Sequence, residues 1–178
     1  LEFRRVLFRS PFDLLIKRSP KGKPFFPAMP KLHFNITHSR THIAIALSDT
    51  PIGIDLEPLR QYRPTLVRRC FHPDEATYLD TIAEEQKAEA FTRLWTIKEA
   101  YVKYTGTGIA DSFHKFAISL PQPPYPQTIT NISIRHLPEN QPQLRISSLY
   151  LPEIQHYFAI CTHWNPASEH EKGENEHK

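Results

Sequence analysis

The sequence predicts a mixed fold of the α/β (α+β) class, and three observations support this prediction. A strong helical pattern covers residues 84–104, where apolar side chains recur three, four or seven positions apart. Short apolar segments typical of strands lie on both sides of this helix. The chain of 178 residues contains 17 prolines and 5 glycines, which indicates ordered turns between short elements. This length suits one domain or two small ones.

Three strands are predicted before the long helix. Residues 34–39 have the pattern of a strand, and residues 42–47 (HIAIAL) predict a buried strand because they are apolar and rich in isoleucine. Residues 52–56 predict another strand, and the Asp-Thr-Pro sequence at 49–51 is typical of a turn. We therefore expect residues 42–56 to form a hairpin.

Helices are predicted in the middle of the chain, after a polar loop at residues 58–65. The sequence His-Pro-Asp-Glu at 72–75 is typical of a helix start, and it predicts a short helix that ends near Ile82. The long helix follows from Glu84 to Tyr104, and Gly106 and Gly108 are expected to end it.

The last part of the chain predicts strands between proline-rich turns, at residues 116–120, 128–135, 143–150 and 157–163. The charged tail at residues 165–178 lacks a pattern of buried residues and predicts disorder. The first ten residues (LEFRRVLFRS) begin with Leu and fit a fragment end or a cloning artefact, with a transit peptide as the alternative. We therefore expect a partial or artefactual segment at 1–20 and one domain at 21–164.

Composition limits the classes of function. The net charge of +3 and the pI near 8.9 suit an acidic protein partner or a polyphosphate ligand, but they are too weak to indicate binding to nucleic acid. The sequence has no apolar run near the ~20 residues of a membrane span. Cys70 and Cys161 lie far apart without a CxxC motif. Two free thiols in a cytoplasmic protein are expected, with a single disulfide as the alternative.

Two carboxylates alternate with aliphatic residues in the strand at 52–56. Successive strand side chains point to opposite faces, so Asp55 and Glu57 share one face with Gly53, which is expected to leave that face open. Neighbouring carboxylates repel each other unless a cation compensates, and such a pair suits a hard cation. An ordinary amphipathic strand with a solvated polar face explains the same pattern.

The long helix carries a second candidate group. Trp95, Glu99 and Lys103 lie four residues apart on one stripe of the helix. One interpretation is a core tryptophan beside a surface Glu99–Lys103 ion pair. The other is functional: Glu99 completes a metal site, while the lysines at 98 and 103 bind phosphates.

Two further segments are weaker candidates. His38 follows Thr37 at a strand end among small polar residues (FNITHS), and a single histidine is often structural. The basic turn Gly22-Lys23-Pro24 can bind an anion through Lys23 and backbone N–H groups, although it also fits an exposed loop.

Taken in order, the motifs GKP, FNITHS, GIDLE and WTIKEAYVKYTGTG resemble the surfactin-type 4'-phosphopantetheinyl transferases, and the W/KEA branch in particular. GIDLE and WxxKEAxxK are the most diagnostic. The resemblance is close over residues 21–120 and loose over 121–164. It implies a Mg²⁺-dependent transfer of phosphopantetheine from coenzyme A to a serine of an acyl, peptidyl or aryl carrier protein, with 3',5'-ADP released.

The resemblance also implies roles for individual residues. Asp55, Glu57 and Glu99 match the Mg²⁺ carboxylates of the family, and Glu99 also matches the proposed base for the carrier serine. Lys103 matches a phosphate-contacting lysine. His38 matches a histidine near the coenzyme A phosphates, with Thr37 where serine is usual. The same resemblance assigns the adenosine 3'-phosphate end of coenzyme A to Gly22, Lys23 and Pro24.

Full members of the family contain two pseudo-symmetric halves with coenzyme A between them, and they are expected to be monomers. This sequence matches mainly the C-terminal half, so an N-terminal truncation and a poorly active chain are expected. Three alternatives stay open. They are a single-half carrier-protein synthase that forms trimers, a non-catalytic remnant that binds carrier proteins, and a plain Mg²⁺-dependent phosphohydrolase.

Overall fold

The structure is a computed structural model that describes residues 15–108, 113–138 and 143–163. Within these residues the strands are β1 (Lys17–Arg18), β2 (Pro24–Phe25), β3 (His33–His38), β4 (Ile43–Ser48), β5 (Ile52–Pro58), β6 (Ala117–Ser119), β7 (Thr128–Ile129), β8 (Ser133–Arg135), β9 (Leu144–Leu151) and β10 (His156–His163). The α-helices are α1 (Pro64–Cys70), α2 (Pro73–Thr81) and α3 (Glu84–Thr105), and a 3₁₀ turn covers Phe113–Lys115. The mixed α/β class predicted from the sequence is confirmed.

The largest sheet is antiparallel, with the strand order β5-β10-β9-β7. Helix α3 packs on β5, β10 and β9 and forms the second layer of the domain. The two-stranded sheet of β3 and β4 also lies against β5. As a result, β5 contacts the helix, its partner strand and this small sheet at the same time.

Helix α3 confirms the strongest helical prediction. It ends at Gly106, which adopts φ 69° and whose N–H bonds to the carbonyl of Val102. A positive φ favours glycine because a Cβ atom is strained there. The middle of the helix is buried on nearly all sides, because it lies between the sheet and the aromatic residues of the core. That core contains Val67, Phe71, Leu79, Phe91, Leu94, Ile97, Phe113, Phe116 and Ile146 among others.

Gly53 allows α3 and β5 to approach closely. A Cβ atom at this position would lie 2.1 Å from the carbonyl oxygen of Ala100 and 2.3 Å from the backbone nitrogen of Tyr104. The expectation that Gly53 leaves an open face was therefore wrong, since the helix backbone covers that face. Both faces of β5 are covered, and a solvated amphipathic strand is excluded.

The predicted hairpin at 42–56 was also wrong. β4 pairs with β3, and β5 pairs with β10 across a long stretch of chain. In addition, the isoleucine-rich strand β4 is not buried, because Ile43, Ile45 and Leu47 are 73%, 63% and 60% exposed. The β3–β4 sheet has two faces, and only one of them packs against β5. These three side chains of β4 lie on the other face.

Two smaller elements differ from the prediction. Helix α1 begins at Pro64, inside the predicted loop 58–65, because proline at the first position favours a helix start. The predicted strand at 128–135 is divided into β7 and β8 around Asn131, whose φ of 55° interrupts the extended backbone. The other predicted strands at 34–39, 52–56, 116–120, 143–150 and 157–163 are observed with small shifts at their ends.

Most of the predictions for the chain ends concern residues that the structure does not describe. Residues 1–14 and the tail from residue 165 lie outside the described ranges, and of the segment 1–20 only residues 15–20 are described. The thiols of Cys70 and Cys161 are both free, as expected. Among the helices of the described ranges, none combines the length and apolar character that crossing a membrane requires.

Candidate active site

Asp55 is the centre of the candidate site. It lies in the middle of β5, is 4% exposed, and points between α3 and β3. The Thr37 hydroxyl on β3 donates a hydrogen bond of 2.9 Å to Asp55 Oδ1. Lys103 Nζ on α3 lies 2.6 Å from the same oxygen and 3.2 Å from Thr37 Oγ1. Three elements therefore converge on one carboxylate oxygen.

The other oxygen of Asp55 has no such contacts. Asp55 Oδ2 is buried, and it lacks a hydrogen-bond partner among the described residues. A buried carboxylate oxygen without a partner costs free energy, so this atom is available for a cation or a ligand donor.

Glu57 lies two residues further along β5 and is half-buried. Arg60 Nη1 donates to Glu57 Oε1 at 2.7 Å. Burial raises the pKa of Glu57, and the negative charge of Asp55 raises it further, while Arg60 acts in the opposite direction. Burial is thus the larger cause of this shift, and repulsion between the two carboxylates on one face of β5 adds to it.

Glu99 completes a group of three carboxylates. It lies one turn before Lys103 on α3 and is 7% exposed. Burial raises the pKa of Glu99 to about 7, and the charges of Asp55 and Glu57 add to this shift. The negative charges of Asp55 and Glu57 thus act on Glu99, and a cation would stabilise such a group of acids. Oxygen ligands alone are typical of Mg²⁺ or Ca²⁺.

Arg60 was not predicted from the sequence. Its guanidinium lies over the Trp95 ring at 4.4 Å from the centroid, and its backbone N–H donates to Thr92 Oγ1 at 2.9 Å. Arg60 therefore joins Glu57 to the same helix stripe that carries Glu99. A signal was present, since Arg60 stands three residues after Glu57, but it lies in a segment that resembles an ordinary polar loop.

Trp95 has a mixed environment. Its ring contacts Phe71, Phe91 and Phe113, which agrees with the interpretation as a core anchor. However, the side chain is only partly buried and its other surface contacts Arg60. The surface Glu99–Lys103 ion pair is not observed, because Lys103 is bound to Asp55 and Glu99 is buried.

Lys98 does not belong to the site, and its predicted role in phosphate binding was wrong. It is fully buried on the opposite side of α3, where Nζ donates to both oxygens of Glu75 at 2.9 and 2.8 Å and to the carbonyl of Phe116 at 2.8 Å. All three protons of the ammonium are used within the core. Lys98 and Glu75 thus connect α3, α2 and the start of β6.

The structure separates His38 from the carboxylates. Thr37 is buried and faces Asp55, so the next residue on the strand points the other way. His38 is exposed and lies across from Ile43 on the outer face of the β3–β4 sheet. The sequence brought Thr37 and His38 together as neighbours, but only Thr37 contacts the acidic cluster.

The basic turn lies at the C-terminal end of α3. Lys23 Nζ donates to the carbonyls of Tyr104 and Ile52 at 2.8 and 3.3 Å, and burial lowers the pKa of Lys23. Gly22 adopts φ 90°, which favours glycine. Pro24 is the first residue of β2 and lines a cleft of about 660 Å³ together with Lys21 and Phe26. The Lys23 ammonium is thus engaged by carbonyl oxygens in this structure.

Comparison with known proteins defines the class. The sequence profile of the 4'-phosphopantetheinyl transferase superfamily matches residues 51–164, so the chain belongs to this superfamily. A 4'-phosphopantetheinyl transferase of Bacillus subtilis is 36% identical over 99 residues, which cover 56% of this chain and 44% of the relative. The 4'-phosphopantetheinyl transferase psf-1 of Bacillus pumilus is 28% identical over 158 residues, covering 89% and 64%.

A third curated relative and one solved structure also match the chain. The 4'-phosphopantetheinyl transferase HetI of Nostoc sp. is 44% identical over 96 residues, which cover 51% of this chain and 40% of the relative. The crystal structure of the Thermotoga maritima holo-[acyl-carrier-protein] synthase matches with a TM-score of 0.42 and 16% identity, covering 64% and 62%. The chain therefore spans about half the length of the curated relatives that it matches.

Proposed function

We propose that the protein transfers the 4'-phosphopantetheine group of coenzyme A to a serine of an apo acyl, peptidyl or aryl carrier protein. The products are the modified carrier and 3',5'-ADP. The observation that carries this proposal is the convergence of Asp55, Glu57, Glu99 and Lys103 in a member of the 4'-phosphopantetheinyl transferase superfamily. The motifs GIDLE and WTIKEAYVK support assignment to the surfactin-type W/KEA branch.

The three carboxylates suit Mg²⁺ by their chemistry, since they offer only oxygen ligands. Among the described residues their ligand oxygens do not all lie within 4.8 Å of one another, so the side chains would draw together as the ion binds. Asp55 Oδ2 is buried and lacks a partner among the described residues, and the charges of Asp55 and Glu57 both raise the pKa of Glu99. We therefore assign Mg²⁺ to Asp55, Glu57 and Glu99. Mg²⁺ at this position would neutralise the pyrophosphate of coenzyme A and polarise the phosphorus that is attacked.

Glu99 is proposed as the base. A carboxylate with a pKa of about 7 can accept a proton from the carrier serine hydroxyl near neutral pH. The serine oxygen then forms a bond to the β-phosphorus of coenzyme A, and the bond from this phosphorus to the bridging oxygen of 3',5'-ADP breaks. Glu99 holds the proton, directly or through a water molecule, while the leaving phosphate keeps the electron pair.

Lys103 is proposed to contact the phosphates. Its ammonium lies beside Asp55 and Thr37 and is 28% exposed, so it can reach a ligand at the edge of the acidic cluster. The positive charge of Lys103 would stabilise negative charge on the transferred group. The Thr37 hydroxyl would hold the side chains of Asp55 and Lys103 in position.

The remaining site assignments also stay proposals. His38 would approach the coenzyme A phosphates from the outer face of β3. Gly22, Lys23 and Pro24 would hold the adenosine 3'-phosphate end next to the cleft that Pro24 lines. For Lys23 this requires that the ammonium exchange the carbonyls of Tyr104 and Ile52 for the ligand.

An acidic protein partner suits the arginines of α1, in the segment that follows Arg60 in the chain. Helix α1 carries exposed Arg68 and Arg69 in its last turn, and the exposed Arg63 precedes it. A cluster of arginines increases the rate of association with an acidic surface. The free thiols of Cys70 and Cys161 favour a reducing compartment, and we propose the cytoplasm as the location.

The direct test is mass spectrometry of the carrier. Incubation of the protein with Mg²⁺, coenzyme A and an apo carrier protein should increase the intact mass of the carrier by one phosphopantetheine group. Asp55→Asn should reduce the initial rate by at least about 10²-fold, because a neutral amide binds Mg²⁺ weakly. Asp80→Asn removes an exposed carboxylate from the end of α2 and serves as the matched control.

The outcomes separate the alternatives. A carrier that binds without any increase in mass would support the non-catalytic remnant, and phosphate release without a carrier would support a hydrolase. An Asp55→Asn variant as active as Asp80→Asn would contradict the assignment of the acidic cluster. Because the chain spans only part of its relatives, the same assay is run on a protein extended at the N-terminus to the length of those relatives.

A further inference from the structure

Two histidines and an aspartate converge outside the acidic cluster. They are His72 before α2, Asp74 in its first turn, and His136 directly after β8. One ligand atom from each lies within 4.8 Å of the others. His136 Nε2 lies 2.9 Å from Asp74 Oδ2, and His72 Nδ1 lies 3.5 Å from Asp74 Oδ1. His136 lies 62 positions after Asp74 in the chain, so the fold brings it to the other two residues.

A helix cap and a ring stack hold these side chains close to one another. His72 caps α2, because Nδ1 accepts a hydrogen bond from the Asp74 N–H at 3.2 Å while Glu75 accepts one from the His72 N–H. Nδ1 is therefore unprotonated, and its single lone pair is used by the cap, so a metal bound at Nδ1 would replace the hydrogen bond from the Asp74 N–H. The rings of His72 and His136 lie nearly parallel, with centroids 4.3 Å apart and an interplanar angle of 14°.

The chemistry of these donors differs from that of the acidic cluster. Two imidazole nitrogens and one carboxylate are ligands for Zn²⁺ and related transition metals, whereas Mg²⁺ prefers oxygen alone. Donors bound to one Zn²⁺ at about 2.1 Å in a tetrahedron lie roughly 3.4 Å apart. The separations of 2.9 and 3.5 Å from Asp74 are close to this spacing. Because a metal lies in the plane of each imidazole that it binds, the rings must also leave their parallel stack, and the half-exposed His136 ring is the one that would turn.

One positive charge competes for the aspartate. Arg135 Nη1 lies 3.2 Å from Asp74 Oδ2, and its side chain is 52% exposed. An exposed ion pair of this kind contributes little to stability, so a metal ion can replace Arg135 without a large cost. The imidazoles are also accessible, since His136 is 48% exposed.

We propose that His72, Asp74 and His136 form a second metal site, which binds Zn²⁺ with water in the remaining position. The site would join the start of α2 to the turn after β8. It is independent of the Mg²⁺ carboxylates, because none of its ligands belongs to the Asp55, Glu57 and Glu99 group. Glu75, the next residue after Asp74, binds Lys98 in the core, so the proposed site adjoins this buried ion pair.

Calorimetric titration with ZnCl₂ in excess MgCl₂ tests the proposal, since the excess of Mg²⁺ would compete with Zn²⁺ for the carboxylates of the proposed Mg²⁺ site. We expect one Zn²⁺ per chain and an affinity that falls at least tenfold in His136→Ala and in Asp74→Asn. His72→Asn is the third variant, because asparagine keeps the helix cap but removes the imidazole. A His170→Ala/His177→Ala variant is the matched control, as it removes two histidines of the C-terminal tail and should leave the affinity unchanged.

Nitrogen NMR of the histidine rings gives a second readout. Added Zn²⁺ should shift the ring nitrogens of His72 and His136 together, at one equivalent of metal. Equal Zn²⁺ affinity in the wild-type chain and in His136→Ala would overturn the proposal. The same conclusion would follow if the tail variant alone lost Zn²⁺, or if the ring signals of His72 and His136 did not change.

Discussion

The buried ion pair between Lys98 and Glu75 gives a prediction that separates the core from the active site. Lys98→Met keeps the approximate volume of the side chain but removes its charge. Glu75 would then keep two hydrogen bonds, from the Ile118 N–H at 2.8 Å and the His72 N–H at 3.1 Å, but it would lose its counter-ion. Removing one partner of a buried pair typically costs about 3–5 kcal/mol, so we expect a loss of that order in the free energy of unfolding.

The loss should depend on pH. Burial already raises the pKa of Glu75, and Lys98 is the charge that opposes this shift. In Lys98→Met the folded protein would therefore hold a proton on Glu75 that the unfolded chain releases. The stability of the variant should then fall as the pH rises through the range between the unfolded and folded pKa of Glu75.

Urea unfolding followed by circular dichroism, at pH 5 and at pH 8, measures both effects. Lys87→Met is the matched control on the same helix, because Lys87 pairs with Glu84 at the surface and should change stability little. The double variant Lys98→Met/Glu75→Gln should recover part of the loss, since it no longer buries an unpaired charge. The reasoning is refuted if Lys98→Met is as stable as Lys87→Met at both pH values.

Two further predictions concern the contact between β5 and α3. With EDTA present, folded Glu99 with a pKa of about 7 keeps a proton that the unfolded chain releases above about pH 4.5, so stability should fall as the pH rises through this range. Glu99→Gln should remove that slope in urea titrations, and an unchanged slope would contradict the raised pKa. Gly53→Ala should lower the free energy of unfolding by about 3 kcal/mol or more, because its Cβ would lie 2.1 Å from the carbonyl oxygen of Ala100. Gly22→Ala meets no atom within 4 Å and should cost only about 1 kcal/mol through its positive φ, so similar melting temperatures for the two variants would be evidence against the close contact.

The elements of the fold were predicted well because their signals are local. Helix α3 shows the apolar spacing of a helix and a glycine at its end, and β5 and β10 are short apolar runs between turns. The pairing of β5 was predicted wrongly, as a hairpin within residues 42–56, because its partner β10 lies about one hundred residues later in the chain. The exposed face of β4 could not be predicted for the same reason, since burial depends on which element covers a strand.

The candidate site shows the same limit. The alternation around Asp55 predicted which residues share a face, and the spacing on α3 predicted that Glu99 and Lys103 lie on one stripe. The contact between Asp55 and Lys103 depends on the approach of β5 to α3, which no local pattern contains. Lys98 differs from Lys103 only in its side of the helix, and the sequence does not show that Glu75 lies there to receive it.

The backbone contact at Gly53 also bears on how much sequence change the site can tolerate. The spacing between Asp55 on β5 and Glu99 on α3 is set near this point by main-chain atoms, without an intervening side chain. Substitutions elsewhere in the core can alter volumes and rotamers, yet they leave this contact surface unchanged as long as position 53 remains glycine. The acids can therefore keep their separation while the surrounding sequence diverges widely, and a single small residue carries most of that constraint.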